Sequence, residues 1–224
     1  MTSPARAHFQ RVAAAEASAS AVSGQTLEGC SQYELMLIKL AEDRRRLKTI
    51  QSMEAKAELK RQLLPDYAPW VEGALTAGQG AQDDVLMTVM LWRIDAGDYA
   101  GALDIAEYAI PYALTMPDRY QRTTATTVAE ELADAAKRAR DGKQPFDVAT
   151  LQRAAELTTA EDMHDQVRAK LHKELGLLLE PTNLDTALSH LTRAKALHEK
   201  VGVVKDIERI EKAIKNSAAG QSGS

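Results

Sequence analysis

Between Lys39 and Arg61 the chain carries eight basic residues (Lys39, Arg44, Arg45, Arg46, Lys48, Lys56, Lys60, Arg61) against four acidic ones (Glu42, Asp43, Glu54, Glu58). That is a local charge of +4 in a chain whose net charge is -4, so any attraction for a polyanion must be local. On a continuous helix Arg45, Lys48, Lys56 and Lys60 fall on one face through steps of three, eight and four residues. Such a stripe suits a phosphate backbone, each contact releasing counterions and steepening the salt dependence. The plainer reading is a solvated face with Glu42 and Arg46 paired along it. Arg6 and Arg11 near the amino terminus are secondary candidates for phosphate contact.

Metal chemistry has few candidates. Asp83 and Asp84 would be the carboxylates of a metal-dependent nuclease. They also follow Gly78 and Gly80 and open an apolar run, where aspartates cap helices and complement the helix dipole. Asp95 and Asp98 flank Gly97 as turn formers. His164 and His172 lie on one helix face but too far apart to share an ion, which marks them as surface residues. A lone Cys30 permits neither an intrachain disulfide nor a cysteine metal site, in keeping with a reducing compartment. The sequence has no Gly-Lys-Ser/Thr phosphate loop, dinucleotide fingerprint or Ser-His-Asp context, which argues against an ATPase. No cofactor is expected.

The elements that must position these residues are helices. Aromatics are only 4% and alanine is abundant, while 45% hydrophobic and 27% charged residues suit a globular chain. No apolar run approaches a membrane span, and the Ala/Ser-rich start lacks the core of a secretory signal, so a cytoplasmic address is expected. The expected architecture is all-α: a long N-terminal helix followed by a multi-helix domain with tetratricopeptide-like hairpins. Residues 1–30, with a break at Ser23 and Gly24 ahead of Glu28 and Gly29, read as a flexible arm that is helical in part. Residues 31–64 contain no Pro or Gly and read as one helix stopped by Pro65. Tyr33, Met36, Leu40, Leu47 and Ile50, with Ala57 and Leu64 beyond, follow a seven-residue apolar pattern, an oligomerisation seam interrupted by Asp43, Glu54 and Arg61. Folding of this face back on its own domain is the alternative.

Shorter helices are expected over residues 66–77, 83–95, 98–114, 124–140, 147–159, 164–179, 184–201 and 203–216. They group into a central region, 65–142, and C-terminal hairpins, 147–216, ahead of a flexible tail over 217–224. After Gly97, Asp98 and Tyr99 the residues Ala102, Leu103 and Ala109 place small side chains seven apart. Leu175 and Gly176, then Ala187, Leu188 and Ala194, do the same. Ordinary amphipathic packing also produces that spacing.

The segment over residues 80–92, GAQDDVLMTVMLW, continuing through Asp95, Gly97 and Asp98, closely resembles the small terminase subunit of P2-like tailed phages. Further matching residues follow in order: Met1 to Pro4 with His8 and Arg11, Tyr33, Glu34, Met36 and Leu37, Leu63 to Pro65, Pro69 to Val71, Leu114 to Pro117, and Val167 to Lys173. The resemblance implies a homo-oligomer, arranged as a ring, that recognises the cohesive-end site of viral double-stranded DNA in the bacterial host cytoplasm. It also implies a large terminase ATPase subunit as partner. The family's small subunit is in some descriptions the endonuclease component. Members carry a basic carboxy-terminal tail where this chain has a neutral Ser/Ala/Gly one after Lys215 and Asn216. A helical interaction module that never touches DNA is the third reading.

Overall fold

The structure, a computed structural model, describes residues 3–20, 27, 29, 31–117 and 122–221. Cys30, Ser23, Gly24, Glu28 and the last residues of the tail lie outside them. The described residues form helices and no β-strand, the all-α class expected from composition. In order the helices are α1 (Pro4–Ser20), α2 (Ser31–Lys48), α3 (Met53–Ala77), α4 (Asp84–Ala96), α5 (Tyr99–Ala109), α6 (Thr124–Asp141), α7 (Val148–Leu157), α8 (Asp165–Leu179), α9 (Leu184–Leu197) and α10 (Val204–Gln221). A 3₁₀ turn, Glu199–Val201, joins the last two. No helix among the described residues is long and apolar enough to cross a membrane.

The chain divides into two compact units, Met1–Thr124 and Ala125–Ser224. In the first, α4 is the central rod. Every residue from Val85 to Trp92 is buried, along with Ile94 and Ala96, so this helix is apolar around its whole circumference, as a helix enclosed by others must be. Its ends are set locally. Asp83 caps the amino end by accepting from Leu86 N, and Gly97, at φ 85°, ends it in the left-handed conformation that disfavours a side chain. Asp98 then caps α5 through Gly101 N.

Two expectations about this unit change. Residues 31–64 are not one helix. The chain breaks at 49–52, and α3 runs straight through Pro65 and Pro69 to Ala77. Nothing in the break is Pro or Gly. Thr49 and Ile50 instead tighten the end of α2 by bonding back to the carbonyls of Arg46 and Leu47, and Ser52 caps α3 through Ala55 N at 3.3 Å. An interior proline costs about 3 kcal/mol. Here burial of Leu63, Tyr67, Trp70, Val71, Gly73 and Ala74 along the same helix offsets it. The second change concerns the amino-terminal arm, which over Pro4–Ser20 is a helix laid on α3. Ala13, Ala14, Ala17 and Ser18 are buried there, and Gly73 makes the approach possible: a Cβ at that position would lie 2.2 Å from the Arg11 carbonyl oxygen.

In the second unit α8 and α9 pack most closely. Gly176 admits Leu191, whose side chain would sit 2.8 Å from an added Cβ, while Ala187 and Ala194, seven apart, are buried. The boundary at 124/125 assigns α6 to this unit, where the expected central region ran to 142. Ion pairs connect it to α8: Arg140 on α6 donates twice to the buried Glu174, at 2.9 and 3.0 Å, and Lys170 reaches Glu130 and Asp134.

Candidate nucleic-acid interface

The break at 49–52 decides where the basic residues go. α3 returns along α2, since Tyr33 stacks on Trp70 with ring centres 5.9 Å apart and Lys39 Nζ pairs with Asp66 at 3.5 Å. The basic cluster therefore sits at the elbow of a helical hairpin, not along a straight rod.

Tyr33, Met36, Leu40 and Leu47, expected to meet another copy, are buried at 4, 4, 1 and 7% exposure against the chain's own helices. Tyr33 also accepts a hydrogen bond from Asp84 N at 3.0 Å. The seven-residue pattern is thus satisfied inside the unit, and Ile50 is half-buried beside Leu59 in a groove at the elbow. The large apolar residues that α2 leaves exposed are Leu35 and Ile38, one turn apart at 57 and 64%.

Asp43, which the sequence presents as an interruption of the seam, holds the hairpin together. It is 2% exposed and accepts from Tyr67 Oη at 2.8 Å, Lys39 Nζ at 2.8 Å and Arg46 at 3.1 Å. Burial alone would raise its pKa, but the bonds from Lys39, Tyr67 and Arg46 outweigh it and hold the carboxyl below its ordinary value. Burial and the adjacent Asp43 push the Tyr67 phenol up, so it remains a donor. The sequence signal was present: a carboxylate on an apolar face with Lys at i-4 and Arg at i+3.

The single basic face expected from sequence is divided. On one side of the elbow, Arg44 and Lys48 from α2 face Lys56 and Lys60 from α3 across a groove floored by Leu47 and Trp92. On the other, Arg45 and Arg46 line a wider groove with Glu42, Thr49, Ile50 and Leu59. Arg44 donates to Thr88 Oγ1, and Lys60 is paired with Asp95. Arg45, Lys48 and Lys56 have no ion-pair partner among the described residues. Arg61 is withdrawn from the cluster, donating to the Ala96 carbonyl at 3.0 Å and to Glu58 at 2.7 Å. Arg6 and Arg11 lie on α1, not on a mobile arm; Arg6 is exposed and Arg11 is paired with Glu72 at 3.1 Å.

Asp83 is a structural group. It is 2% exposed, and its two oxygens accept from Trp70 Nε1 at 2.8 Å and Leu86 N at 2.9 Å. Burial pushes its pKa up to about 6 despite those bonds. Its neighbour Asp84 faces Gln82, and among the described residues no three His, Cys, Asp or Glu side chains gather as metal ligands. His172 is not a surface residue as expected from sequence: it is half-buried against His190, with Nδ1 atoms 2.9 Å apart, and burial and that neighbour pull its pKa down to about 4. His164 lies at the exposed start of α8.

Comparison with known proteins agrees with the resemblance read from residues 80–98. The family described as phage small terminase subunit matches residues 37–166, more than half of the chain and the whole elbow. The chain is 50% identical over 216 residues to the "Terminase, endonuclease subunit" of Escherichia phage P2, covering 96% of this chain and 87% of that protein. It is 26% identical over 194 residues to the "Probable terminase, endonuclease subunit" of Haemophilus phage HP1, covering 80% and 69%. No solved structure matches. The chain belongs to the phage small terminase subunit family, and its role lies in phage genome packaging.

Proposed function

We propose that this chain recognises the cohesive-end site of viral double-stranded DNA in the host cytoplasm and brings the large terminase ATPase subunit to it, starting genome packaging. The observation that carries the reading is the elbow of α2 and α3. Six cations, Arg44, Arg45, Arg46, Lys48, Lys56 and Lys60, line the two grooves that flank the break, and Arg45, Lys48 and Lys56 are left without carboxylate partners. Like charges held together oppose folding, and a polyanionic partner offsets that cost. Assembly into a homo-oligomer would use the outer face of α2, where Leu35 and Ile38 are exposed, because the inner face is already covered.

The test is fluorescence anisotropy with the cohesive-end duplex and a shuffled duplex of equal length. Tighter binding of the cohesive-end duplex, by roughly tenfold or more, is expected of a site-reading subunit. Equal binding of both duplexes would remove site recognition from the proposal. For assembly, Leu35→Glu with Ile38→Glu is expected to yield monomers by light scattering at concentrations where the wild-type chain is oligomeric. An unchanged mass would place the interface elsewhere.

A further inference from the structure

We infer that the groove between the end of α2 and the start of α3 is a discrete oxyanion pocket that seats one phosphate-class group, rather than a stretch of generally basic surface. The inference rests on the proposed DNA-contacting role of the elbow and specifies its chemistry. Arg44 and Lys48 are four apart on α2, and Lys56 and Lys60 are four apart on α3, so each helix contributes an adjacent pair to the same groove. Two of the four are fixed in place. Arg44 is bonded to Thr88, and Lys60, its side chain 12% exposed, is held by Asp95. Lys48 and Lys56 complete the lining and have no ion-pair partner among the described residues.

The floor is apolar. Leu47 is 7% and Trp92 2% exposed, and a low-dielectric wall beside four cations and one carboxylate strengthens the field on an anion placed there. The groove has a volume of about 170 Å³. A single water needs only about 10–15 Å³ of such space, so the groove holds several waters and admits a phosphoryl group or a short run of them. The groove across the elbow is wider and is lined by two cations, Arg45 and Arg46, with Glu42 beside them.

A DNA backbone phosphate and a free polyphosphate present the same chemistry to this pocket, and one experiment separates them. Inorganic tripolyphosphate is titrated into the full chain without DNA, with intrinsic fluorescence as one readout because Trp92 lines the groove, and calorimetry as the second. Saturable binding of one tripolyphosphate per chain is expected, weakened roughly tenfold by Lys48→Gln and again by Lys56→Gln, the loss typical of a charged hydrogen bond. Neither substitution should lower the melting temperature, since neither lysine has a partner to lose. Displacement of bound duplex by tripolyphosphate identifies the backbone phosphate as the occupant. Saturable binding without displacement supports the pocket and overturns phosphate contact through it. If tripolyphosphate does not saturate, or both lysine variants bind it as the wild type does, the pocket is overturned. In that case duplex binding that still depends on Lys48 and Lys56 leaves the proposed function standing.

Discussion

Asp43→Ala is expected to destabilise the first unit by about 2–4 kcal/mol. The substitution leaves the Tyr67 hydroxyl, on a fully buried ring, without its acceptor, which costs about 1–3 kcal/mol, and it removes the carboxylate that Lys39 and Arg46 share. Asp43→Asn keeps an acceptor for Tyr67 and should lose about half as much. Tryptophan fluorescence during urea unfolding measures this cleanly, because both tryptophans, Trp70 and Trp92, belong to the first unit. A shift below about 0.5 kcal/mol would mean that the hairpin does not depend on this network. The pH dependence has a definite sign. The Asp43 pKa is lower in the fold than its ordinary value of 3.8, so its contribution is present above that value and lost as pH falls through the lower, folded one. Asp83 acts oppositely: its pKa is raised to about 6, so its contribution is present below the ordinary 3.8 and lost as pH rises through about 6. The Asp43 variants should therefore lose the share of the acid-side fall that Asp43 contributes while keeping the Asp83 trend.

The second large effect concerns DNA. Lys48→Glu with Lys56→Glu should weaken duplex binding by roughly a hundredfold at low salt and reduce the slope of log affinity against log salt by about 2. Each phosphate contact contributes about 0.9 to that slope, and the two reversals remove two contacts. Both residues line the same groove and lack ion-pair partners, so the fold should lose no stability and binding should carry the loss. Arg61 provides the contrast. It is bonded to Ala96 and Glu58, so its replacement would disturb structure as well as charge.

The sequence made the helical class legible because cap residues and apolar runs are local signals. Asp83, Gly97, Asp98, Asp147 and Asn183 sit at the helix ends where their chemistry places them. The elbow was not legible because its cause is tertiary. Neither Thr49 nor Ile50 forbids a helix, and only the return of α3 against α2 makes a break there favourable. Thr49 and Ile50 followed by Ser52, after Arg45, Arg46 and Lys48 in a last turn, was the available signal for a helix end and a new start. Pro65 misled for the converse reason: a strong local signal yielded to packing along α3. The basic cluster was visible as composition, but its division into two grooves followed from the break. Arg44 therefore joins Lys48, Lys56 and Lys60, while Arg45 lies across the elbow. The His172 and His190 pair had no sequence signal, because the two residues come from separate helices brought together by the closeness of α8 and α9.

The most direct test of DNA contact at the elbow is anisotropy of a labelled cohesive-end duplex with wild-type protein and the Lys48→Glu, Lys56→Glu variant, from low to high salt. Steep salt dependence is expected for the wild type and a slope shallower by about 2 for the variant, whose melting temperature should be no lower than that of the wild type. Equal slopes and affinities for the two proteins, or no wild-type binding at low salt, would contradict it.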